Sequence, residues 1–307
     1  MLLIKVPATA ANLGPGIDSF GIALNLYNEI IVREKSDSPF PKGYYSLSGP
    51  HLAMTAAAKL AEEAGRRLPE LEFAIRARVP RSRGLGSSAT LTVAGLKAAN
   101  YFLNAGLDND QLLSLASALE GHPDNAAPAL LGGFVITIQE SGAIRYLRTM
   151  PAKSLQVLAA VPDFELKTSN SRKVLPAEVA YSDAVFNVGR ASLLAGALIS
   201  GRHDLLRQAM ADRLHQPYRQ PLVTGLDQVM EVALAAGAYG VCLSGSGPSV
   251  LVFCGRNKEA IGSVITKAWQ DREISCRVYQ LRICGKGAEV SWHEDERSLM
   301  KQVGHRR

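Results

Sequence analysis

Apolar and polar residues alternate along two stretches in the first half of the chain. From Ile22 to Val32 most alternate positions are apolar, and Leu71 to Val79 repeats the pattern before Pro80 ends it. Successive side chains of a strand point to opposite faces of a sheet, so a period of two predicts half-buried β-strands here. A shorter apolar run, Leu2 to Val6, predicts another strand ahead of Pro7.

Other stretches of the first half have helical spacing. Leu52 to Ala64 is rich in alanine, and Ser87 to Leu103 contains only one charged residue, Lys97, which predicts a largely buried helix. Asp108 and Gln111 form a capping pattern ahead of a third apolar run. Because strands and helices mix without a strict βαβ alternation, the order favours an α+β fold over a doubly wound parallel sheet.

From residue 155 onward the pattern of strands and helices starts again. The predicted strands are 155–161, 239–243, 249–254 and 275–283, and the predicted helices are 177–200, 203–214, 222–236 and 258–270. The restart predicts two domains, 1–150 and 151–307, and the lack of a Pro/Ser-rich linker indicates that they pack tightly. The charged end of the chain, 291–307, predicts an irregular tail.

The composition excludes several classes of protein. Of the 307 residues, 47% are apolar and 20% are charged, the balance of a globular protein and not of a disordered one. A net charge of +6 fits either nucleic acid or an anionic small substrate, but the basic residues are scattered, which favours the small substrate. No stretch approaches the roughly 18 apolar residues that span a bilayer and no signal-like region is present, so we expect a cytoplasmic protein. The 4 cysteines show no zinc-site spacing and indicate free thiols.

The segment from Pro80 to Ala89, PRSRGLGSSA, follows a predicted strand and opens the buried helix. Gly84 and Gly86 permit positive φ angles and a close approach of the backbone to a ligand. Unpaired N–H groups and the positive end of the helix dipole meet at Ser87 and Ser88, which predicts a site for phosphate groups. The segment is neither a Walker A loop nor a dinucleotide fingerprint, since it lacks Gly-Lys-Ser/Thr and the third glycine of GxGxxG. A serine-capped turn without a ligand is the alternative.

Three further segments are dense in glycine or polar side chains. PATAANLGPGID runs from Pro7 to Asp18, and LSGSGPS, from Leu243 to Ser249, joins two predicted strands. EGHPDN places two carboxylates, a histidine and an amide within six positions at the end of an apolar helix. Each segment alone is compatible with an ordinary turn or a solvated helix end, whereas together they suggest one shared site. Glu120 is a candidate Mg²⁺ ligand, because Mg²⁺ favours one or two carboxylates beside phosphate oxygens.

In this order along the chain, the segments resemble the GHMP kinase superfamily of small-molecule kinases. Within it the homoserine kinase family is the most similar, because PATAANLGPGIDSFGIALNLYNE resembles its first motif and EGHPDNAAPALLGG its signature between the second and third motifs. The resemblance covers residues 3–254. It implies an α+β N-terminal domain with a left-handed crossover, followed by a ferredoxin-like α/β sandwich. It also implies ATP and Mg²⁺ as cofactors, L-homoserine as acceptor, a homodimer in the threonine pathway, and neither a nucleic-acid nor a membrane partner.

The resemblance implies roles for individual residues. The ATP-binding residues are expected to be Pro80, Arg83, Gly84, Leu85, Gly86, Ser87, Ser88, Ala89 and Thr90. Ser88 and Glu120 are the expected Mg²⁺ ligands, and Glu120, Asp124 and Arg172 are the expected catalytic residues. The substrate-binding residues are expected to be Asn12, Asp18, His122, Asn125, Thr168, Arg219, Ser244 and Gly245. Homoserine is a zwitterion, which suits a pocket that offers arginines to its carboxylate and acidic groups to its ammonium or hydroxyl group.

The chain departs from the family pattern at a few positions. Ala10 stands where Ser is usual, Ile17 where Phe is usual, and residues 48–51 lack the usual Asn, which leaves the contact to adenine open. The alternative functions are another GHMP kinase, of the mevalonate type, and a catalytically inactive regulatory homologue. Retention of Ser88, Glu120 and Asp124 argues against the inactive homologue. The scattered basic residues argue against a nucleic-acid-binding protein.

Overall fold

The structure is a computed structural model that describes residues 1–140, 142–294 and 298–299. Most of the first half alternates between strands and groups of helices. In chain order its elements are β1 Leu2–Ala11, β2 Phe20–Glu34, β3 Tyr45–Ser46, α1 Leu52–Glu63, β4 Leu71–Arg76, α2 Ser87–Phe102, α3 Asn109–Glu120, α4 Pro123–Leu131, β5 Phe134–Glu140 and β6 Ala143–Thr149.

The second half begins with a strand and then runs through several helices. Its elements are β7 Gln156–Pro162, α5 Thr168–Lys173, α6 Tyr181–Ser200, α7 Leu206–Ala209, α8 Gln216–Arg219, α9 Leu226–Ala235, β8 Gly240–Leu243, β9 Val250–Cys254, α10 Lys258–Gln270, β10 Cys276–Leu281 and β11 Glu289–Trp292. Two short 3₁₀ helices, His203–Leu205 and Gln220–Leu222, flank α7 and α8. None of the helices among the described residues is both long and apolar enough for a membrane crossing.

The first sheet is antiparallel and is organised around the long strand β2. Its strand order is β11-β1-β2-β4-β3, and β5 joins β2 to β6. The C-terminal part of β2 pairs with β4 and its N-terminal part with β5. The strand predicted over Ile22 to Val32 is confirmed by β2, but its predicted half-burial is wrong at this end, because Ile30, Ile31 and Val32 are all fully buried. Ile30 and Val32 face the helices, whereas Ile31 packs on the opposite side with Leu3 and other apolar residues.

Helices α1 to α4 form the layer that covers this sheet. Their apolar faces join Ile4 and Val6 of β1 in one core cluster. Helices α1 and α2 approach closely at Gly95, where a Cβ atom would overlap the backbone of Ala53. This close packing explains why α2 contains almost no charged residues, because the neighbouring helices and the sheet bury most of its surface. The helix therefore holds its N-terminus, at Ser87, in a fixed place.

The second sheet has the strand order of a ferredoxin-like fold. Strands β10, β7, β9 and β8 lie side by side in that order and all pair antiparallel. Counting from β7, this is the order 4-1-3-2 of a β-α-β-β-α-β unit, with α9 and α10 as two of the connecting helices. One face packs on α9 and α10, and the other shares a core with β1, β2 and α6. The ferredoxin-like expectation is confirmed by this order, while the left-handed crossover in the first half stays a prediction.

The chain returns to the first sheet at its end. Strand β11 pairs with β1, and Ile283 forms an isolated bridge with Leu24. Residues 289–292 therefore add to the sheet of the first half, although they were assigned to the second domain; the boundary at residue 150 itself stays a prediction. The prediction of an irregular tail is wrong for Ser291 and Trp292, which belong to β11. Residues 295–297 and 300–307, to which the same prediction applied, lie outside the described residues.

Local structure departs from the predicted helices in three places. Helix α6 begins at Tyr181, later than predicted, and α4, which has Pro at its first position, was not predicted. The helix predicted over 203–214 contains only a 3₁₀ turn and the single turn α7. The carboxylate of Asp212 accepts hydrogen bonds from the backbone N–H groups of residues 214, 215 and 216. Such bonds compete with helix continuation, and here they hold the turn from which α8 starts.

Candidate active site

A cleft of about 420 Å³ is lined by residues from both halves of the chain. Six segments contribute its polar groups: the loop between β1 and β2, the glycine loop before α2, the α3–α4 junction, α5, α8, and the turn between β8 and β9. The lining residues are Asn12, Asp18, Leu52, Arg81, Ser82, Arg83, Gly84, Leu85, Gly86, Ser87, Ser88, Ala89, Leu91, Leu119, Glu120, His122, Asp124, Asn125, Leu166, Thr168, Arg172, Arg219, Gly245 and Ser246. The segments singled out in the sequence therefore meet in one place.

The glycine loop ends in a helix N-terminus that faces the cleft. Gly86 is the residue before α2 and has a φ of 68°, no side chain caps the N–H groups that follow it, and Ser87, Ser88 and Ala89 all line the cleft. The first turn of α2 carries no acidic residue. The positive end of a buried 16-residue helix with open N–H donors is suited to phosphate groups. The prediction of a phosphate-binding loop agrees with this geometry.

The loop is fixed from below by the turn between β8 and β9. The hydroxyl of Ser244 donates to the carbonyl oxygen of Gly84 at 2.6 Å, and a Cβ on Gly84 would overlap the same turn. Ser244 thus supports the loop from a fully buried position and does not line the cleft. Thr90 is also buried, where its hydroxyl accepts from Asn28, and Pro80 lies outside the lining. These three residues were expected to contact ligands, but none of them lines the cleft in this structure.

The side chain of Glu120, the last residue of α3, contacts the first two turns of α2, directly after the glycine loop. The hydroxyl of Ser88 donates to both its carboxylate oxygens, at 2.9 and 3.0 Å. Thr92, one turn further along α2, donates at 2.5 Å. Within the described part of the chain no Lys, Arg or His forms an ion pair with Glu120. A carboxylate with hydroxyl neighbours and an uncompensated charge, beside a phosphate loop, fits the ligand preferences of Mg²⁺.

Asp18 and Arg172 form an ion pair across the cleft. Both terminal nitrogens of Arg172 donate to the carboxylate of Asp18, at 2.6 and 3.2 Å. Burial acts to raise the pKa of Asp18, but the hydrogen bonds and charge of Arg172 outweigh it, and the pKa is lowered. The Asp18 backbone N–H donates to Asn12, whose side chain in turn donates to the carbonyl of Gly245. The pair is therefore anchored to both halves of the chain.

A second acidic group lies at the N-terminus of α4. Asp124 is only 2% exposed, and its Oδ1 atom accepts from the amide of Asn125 and is paired with the Nδ1 atom of His122. Burial acts to lower the pKa of His122, but the hydrogen bond and charge of Asp124 outweigh it and raise the pKa. Asn125 also accepts a hydrogen bond from Thr9 at 2.7 Å. The network leaves Asp124 Oδ2 without a hydrogen-bond donor among the described residues.

Side-chain oxygens of Asp18 and Asp124 and a ring nitrogen of His122 lie within 4.8 Å of one another, close enough to share a cation. Both carboxylates are already compensated, however, by Arg172 and by His122. Glu120, which has no ion-pair partner among the described residues, stays the candidate Mg²⁺ ligand. The Asp18–His122–Asp124 group is suited instead to an organic ligand that carries charges of both signs.

Arg219 reaches the cleft from α8 although it is only 2% exposed. Its Nη1 atom donates to the carbonyl of Gly245 at 3.1 Å, and its Nε atom to the carbonyl of Ser171 at 3.3 Å. Burial lowers its pKa, as does the nearby charge of Arg172. Among the described residues its Nη2 atom has no partner. The two arginines and Asp18 thus bring charges of both signs to one side of the cleft.

Comparison with other proteins identifies the family. Residues 51–133 match the N-terminal domain of GHMP kinases, and residues 194–271 match their C-terminal domain. A homoserine kinase of Carboxydothermus hydrogenoformans is 42% identical over 94% of this chain and 96% of its own length. One from Moorella thermoacetica is 40% identical over 94% of this chain and 100% of its own. The chain belongs to the homoserine kinase family.

Solved structures agree with this assignment. The crystal structure of homoserine kinase from Cytophaga hutchinsonii is similar with a TM-score of 0.82 and 28% identity, and covers 94% of this chain and 97% of that one. A galactokinase of Lactococcus lactis, solved with galactose, has a TM-score of 0.69 but only 13% identity over 94% and 95% of the two chains, and so shows the fold alone. The two-domain fold of mixed helix and sheet expected for the homoserine kinase family is confirmed.

Several residues at this homoserine kinase cleft were missed in the sequence. Thr92 could have been found, because it lies four residues after Ser88 in a predicted helix and so shares its face, whereas His215 lies outside the predicted helices and directly precedes α8. Thr9 and Ser246 lie within segments that the sequence singled out, Pro7 to Asp18 and Leu243 to Ser249, but they were not themselves among the predicted site residues. Thr168, which was predicted, lies 3.3 Å from Ser246, hydroxyl to hydroxyl. Apolar side chains also line the cleft near α2, and they are Leu52, Leu91 and Leu119.

Proposed function

We propose that this member of the homoserine kinase family transfers the γ-phosphoryl group of ATP to the side-chain hydroxyl of L-homoserine. The products are O-phospho-L-homoserine and ADP, a step of threonine biosynthesis. The observation that carries the proposal is the ion pair of Asp18 and Arg172, with Arg219 beside it, in the same cleft as the phosphate loop. We place the enzyme in the cytoplasm and expect it to act as a homodimer.

The charged groups favour an α-amino acid as the acceptor. The ammonium of homoserine would take the place of Arg172 beside Asp18, and its carboxylate would bind the two arginines. When homoserine separates Asp18 from Arg172, its two charges therefore give each of these residues a new partner of opposite charge. A neutral sugar in the same place would separate the pair without supplying a charge to either partner, which is unfavourable even for side chains that solvent partly screens.

The transfer needs alignment and charge neutralisation more than a strong base. Phosphoryl transfer passes through a loose transition state whose charge is spread over the phosphate oxygens. The N–H groups at the start of α2 would hold the phosphates, and Ser88 and Glu120, supported by Thr92, would hold Mg²⁺. Bound Mg²⁺ would neutralise charge on the phosphate oxygens.

Asp124 is the group that would meet the acceptor hydroxyl. Its Oδ1 atom is held by His122 and Asn125, whereas Oδ2 remains available among the described residues. This geometry supports a role in positioning the hydroxyl first and in accepting its proton second. The retained Ser88, Glu120 and Asp124 argue against an inactive regulatory homologue. A mevalonate-type kinase is disfavoured because mevalonate offers no ammonium to Asp18.

An acceptor screen tests the proposal. ADP release is measured with ATP, Mg²⁺ and, in turn, L-homoserine, mevalonate, galactose and shikimate, and the product is identified by ³¹P NMR. We expect L-homoserine to have the highest kcat/KM and to give a phosphate monoester on its hydroxyl. A preference for mevalonate or galactose contradicts the acceptor assignment. If none of the four acceptors leads to ADP release, the proposed kinase activity is contradicted.

A further inference from the structure

His215 lies behind Arg219 and is fully buried. Its Nε2 atom is 2.7 Å from the carbonyl oxygen of Gly14. A carbonyl oxygen only accepts, so Nε2 carries the ring proton. Its Nδ1 atom therefore has a free lone pair, and it accepts a hydrogen bond from Nη1 of Arg219 at 3.1 Å. The hydrogen bond to Gly14 thus determines which tautomer faces the arginine.

A neutral acceptor is well matched to a buried guanidinium that must bind an anion. A carboxylate at this place would fix Arg219 but compensate its charge, and the substrate carboxylate would then gain little. Nδ1 of His215 and the carbonyl oxygens of Ser171 and Gly245 hold the guanidinium without a formal negative charge. Burial lowers the pKa of His215, which agrees with a neutral ring.

The charged groups around this ring are arranged to the same end. Asp212 lies 3.5 Å from Nε2, but its carboxylate already accepts from Asn187 and from three backbone N–H groups. It faces the side of the ring opposite Arg219. The Asp212 carboxylate therefore stabilises the start of α8, the helix that carries Arg219, and it does not contact the guanidinium.

We infer that His215 is a positioning residue for carboxylate recognition, which holds Arg219 so that Nη2 faces the acceptor. The inference rests on the proposed function. It also connects three parts of the site, because the same ring bridges Gly14 in the β1–β2 loop and Arg219, which in turn contacts Gly245 in the β8–β9 turn. A histidine that only filled the core would give stability but no effect specific to the acceptor.

Two matched substitutions separate these roles. In His215→Asn the side-chain oxygen can occupy the place of Nδ1 and accept from Arg219, but the amide is too short to reach Gly14. In His215→Gln the longer amide can reach Gly14 in the place of Nε2 but no longer presents an acceptor to Arg219. Both variants lose one of the two contacts, so a purely structural role predicts similar defects. Thermal melting of both variants confirms that they fold.

The experiment measures kcat, the KM for L-homoserine and the KM for ATP in the wild type and both variants. We expect His215→Gln to raise the KM for homoserine by about tenfold, since a misdirected charged hydrogen bond loses most of its free energy. The KM for ATP and kcat should change less than about threefold, and His215→Asn should recover most of the affinity for homoserine. Equal defects in the two variants, or a defect shared by ATP, overturn the inference.

Failure of the proposed function is visible separately in the wild type. If the wild type phosphorylates a different alcohol that carries a carboxylate, the acceptor assignment fails, and the same comparison with that alcohol decides the role of His215. If its acceptor carries no carboxylate, both proposals fail. If His215→Gln does not fold, His215→Asn decides alone: a KM for homoserine within about threefold of the wild type supports the inference, and a tenfold rise overturns it.

Discussion

At the scale of single residues, the negative charge of Glu120 is the one most directly connected to the proposed binding of Mg²⁺. It accepts hydrogen bonds from Ser88 and Thr92 and forms no ion pair within the described residues. Glu120→Gln keeps the size but removes the charge, and we expect kcat to fall by about 10²-fold or more, because charge neutralisation is a major part of catalysis of phosphoryl transfer. The measurement is turnover of L-homoserine at saturating ATP and Mg²⁺.

A matched control for this substitution lies on α9. Glu231 is exposed there and is remote from the lining of the cleft. Glu231→Gln should leave kcat unchanged. Turnover of Glu120→Gln within a few-fold of the wild type would show that this carboxylate holds no essential metal ion.

Asp18 links the same cleft to the stability of the folded chain. Although burial alone would raise the pKa of its carboxyl, Arg172 holds the pKa below its ordinary value. A group of this kind stabilises the folded state above its unfolded pKa of about 3.9, and the contribution is lost as pH falls through the lower folded pKa. The stability gap between the wild type and Asp18→Asn should therefore be constant from about pH 5.5 to 7 and shrink below about pH 4.

Urea unfolding at a series of pH values measures this gap. In an Arg172→Met background this pH dependence should weaken or reverse, because burial then raises the pKa of Asp18 against only the weaker attraction of His122 and Arg219. A gap that widens as the pH falls would contradict the assigned direction of the pKa shift.

At the scale of elements, the sequence predicts those whose signals are local. Helix α2 runs from Ser87 to Phe102, one residue short of the prediction, because an uncharged run and a glycine loop mark it without reference to the rest of the chain. The segment 203–219 shows the opposite case. Its course depends on Asp212, which binds three following N–H groups, and such side-chain capping of a turn leaves no apolar periodicity to read.

The glycine loop before α2 allows a test with a matched control. Gly86 and Gly106 have nearly the same φ angle, 68° and 70°. A Cβ on Gly86 would overlap the hydroxyl of Thr9 and lie 3.2 Å from Asn125, whereas one on Gly106 would meet nothing within 4 Å. Alanine at either position costs stability because of the left-handed backbone.

Only Gly86→Ala is expected to change the phosphate site. Its ATP affinity should fall by about tenfold or more, since binding groups must be held within about 0.5 Å of their productive positions. Gly106→Ala should bind ATP like the wild type. Calorimetric titration with a non-hydrolysable ATP analogue measures both affinities, and equal values for the two variants would mean that the contact with Thr9 has no part in holding the loop.

At the scale of the whole molecule, the site depends on contacts between distant parts of the chain. The carbonyl of Gly245 accepts from Asn12 and from Arg219, and Ser244 supports Gly84. Local patterns identified each segment, and the family resemblance grouped them into one site. Neither could show which side chains face the cleft, because packing decides it: Ser244 is buried beneath the glycine loop and Thr90 against β2, although both were expected to contact ligands.

The central claim is that one cleft recognises both charges of an amino acid while it phosphorylates its hydroxyl group. The direct measurement is kcat/KM for L-homoserine and for its uncharged carboxamide, in the wild type, in Arg219→Ala, and in Arg256→Ala as a control at an exposed arginine. We predict that the wild type and Arg256→Ala prefer the acid by about tenfold to a thousandfold, as expected for a charge-assisted contact, and that Arg219→Ala loses most of this preference. Equal losses of kcat/KM for acid and amide in Arg219→Ala would contradict the account.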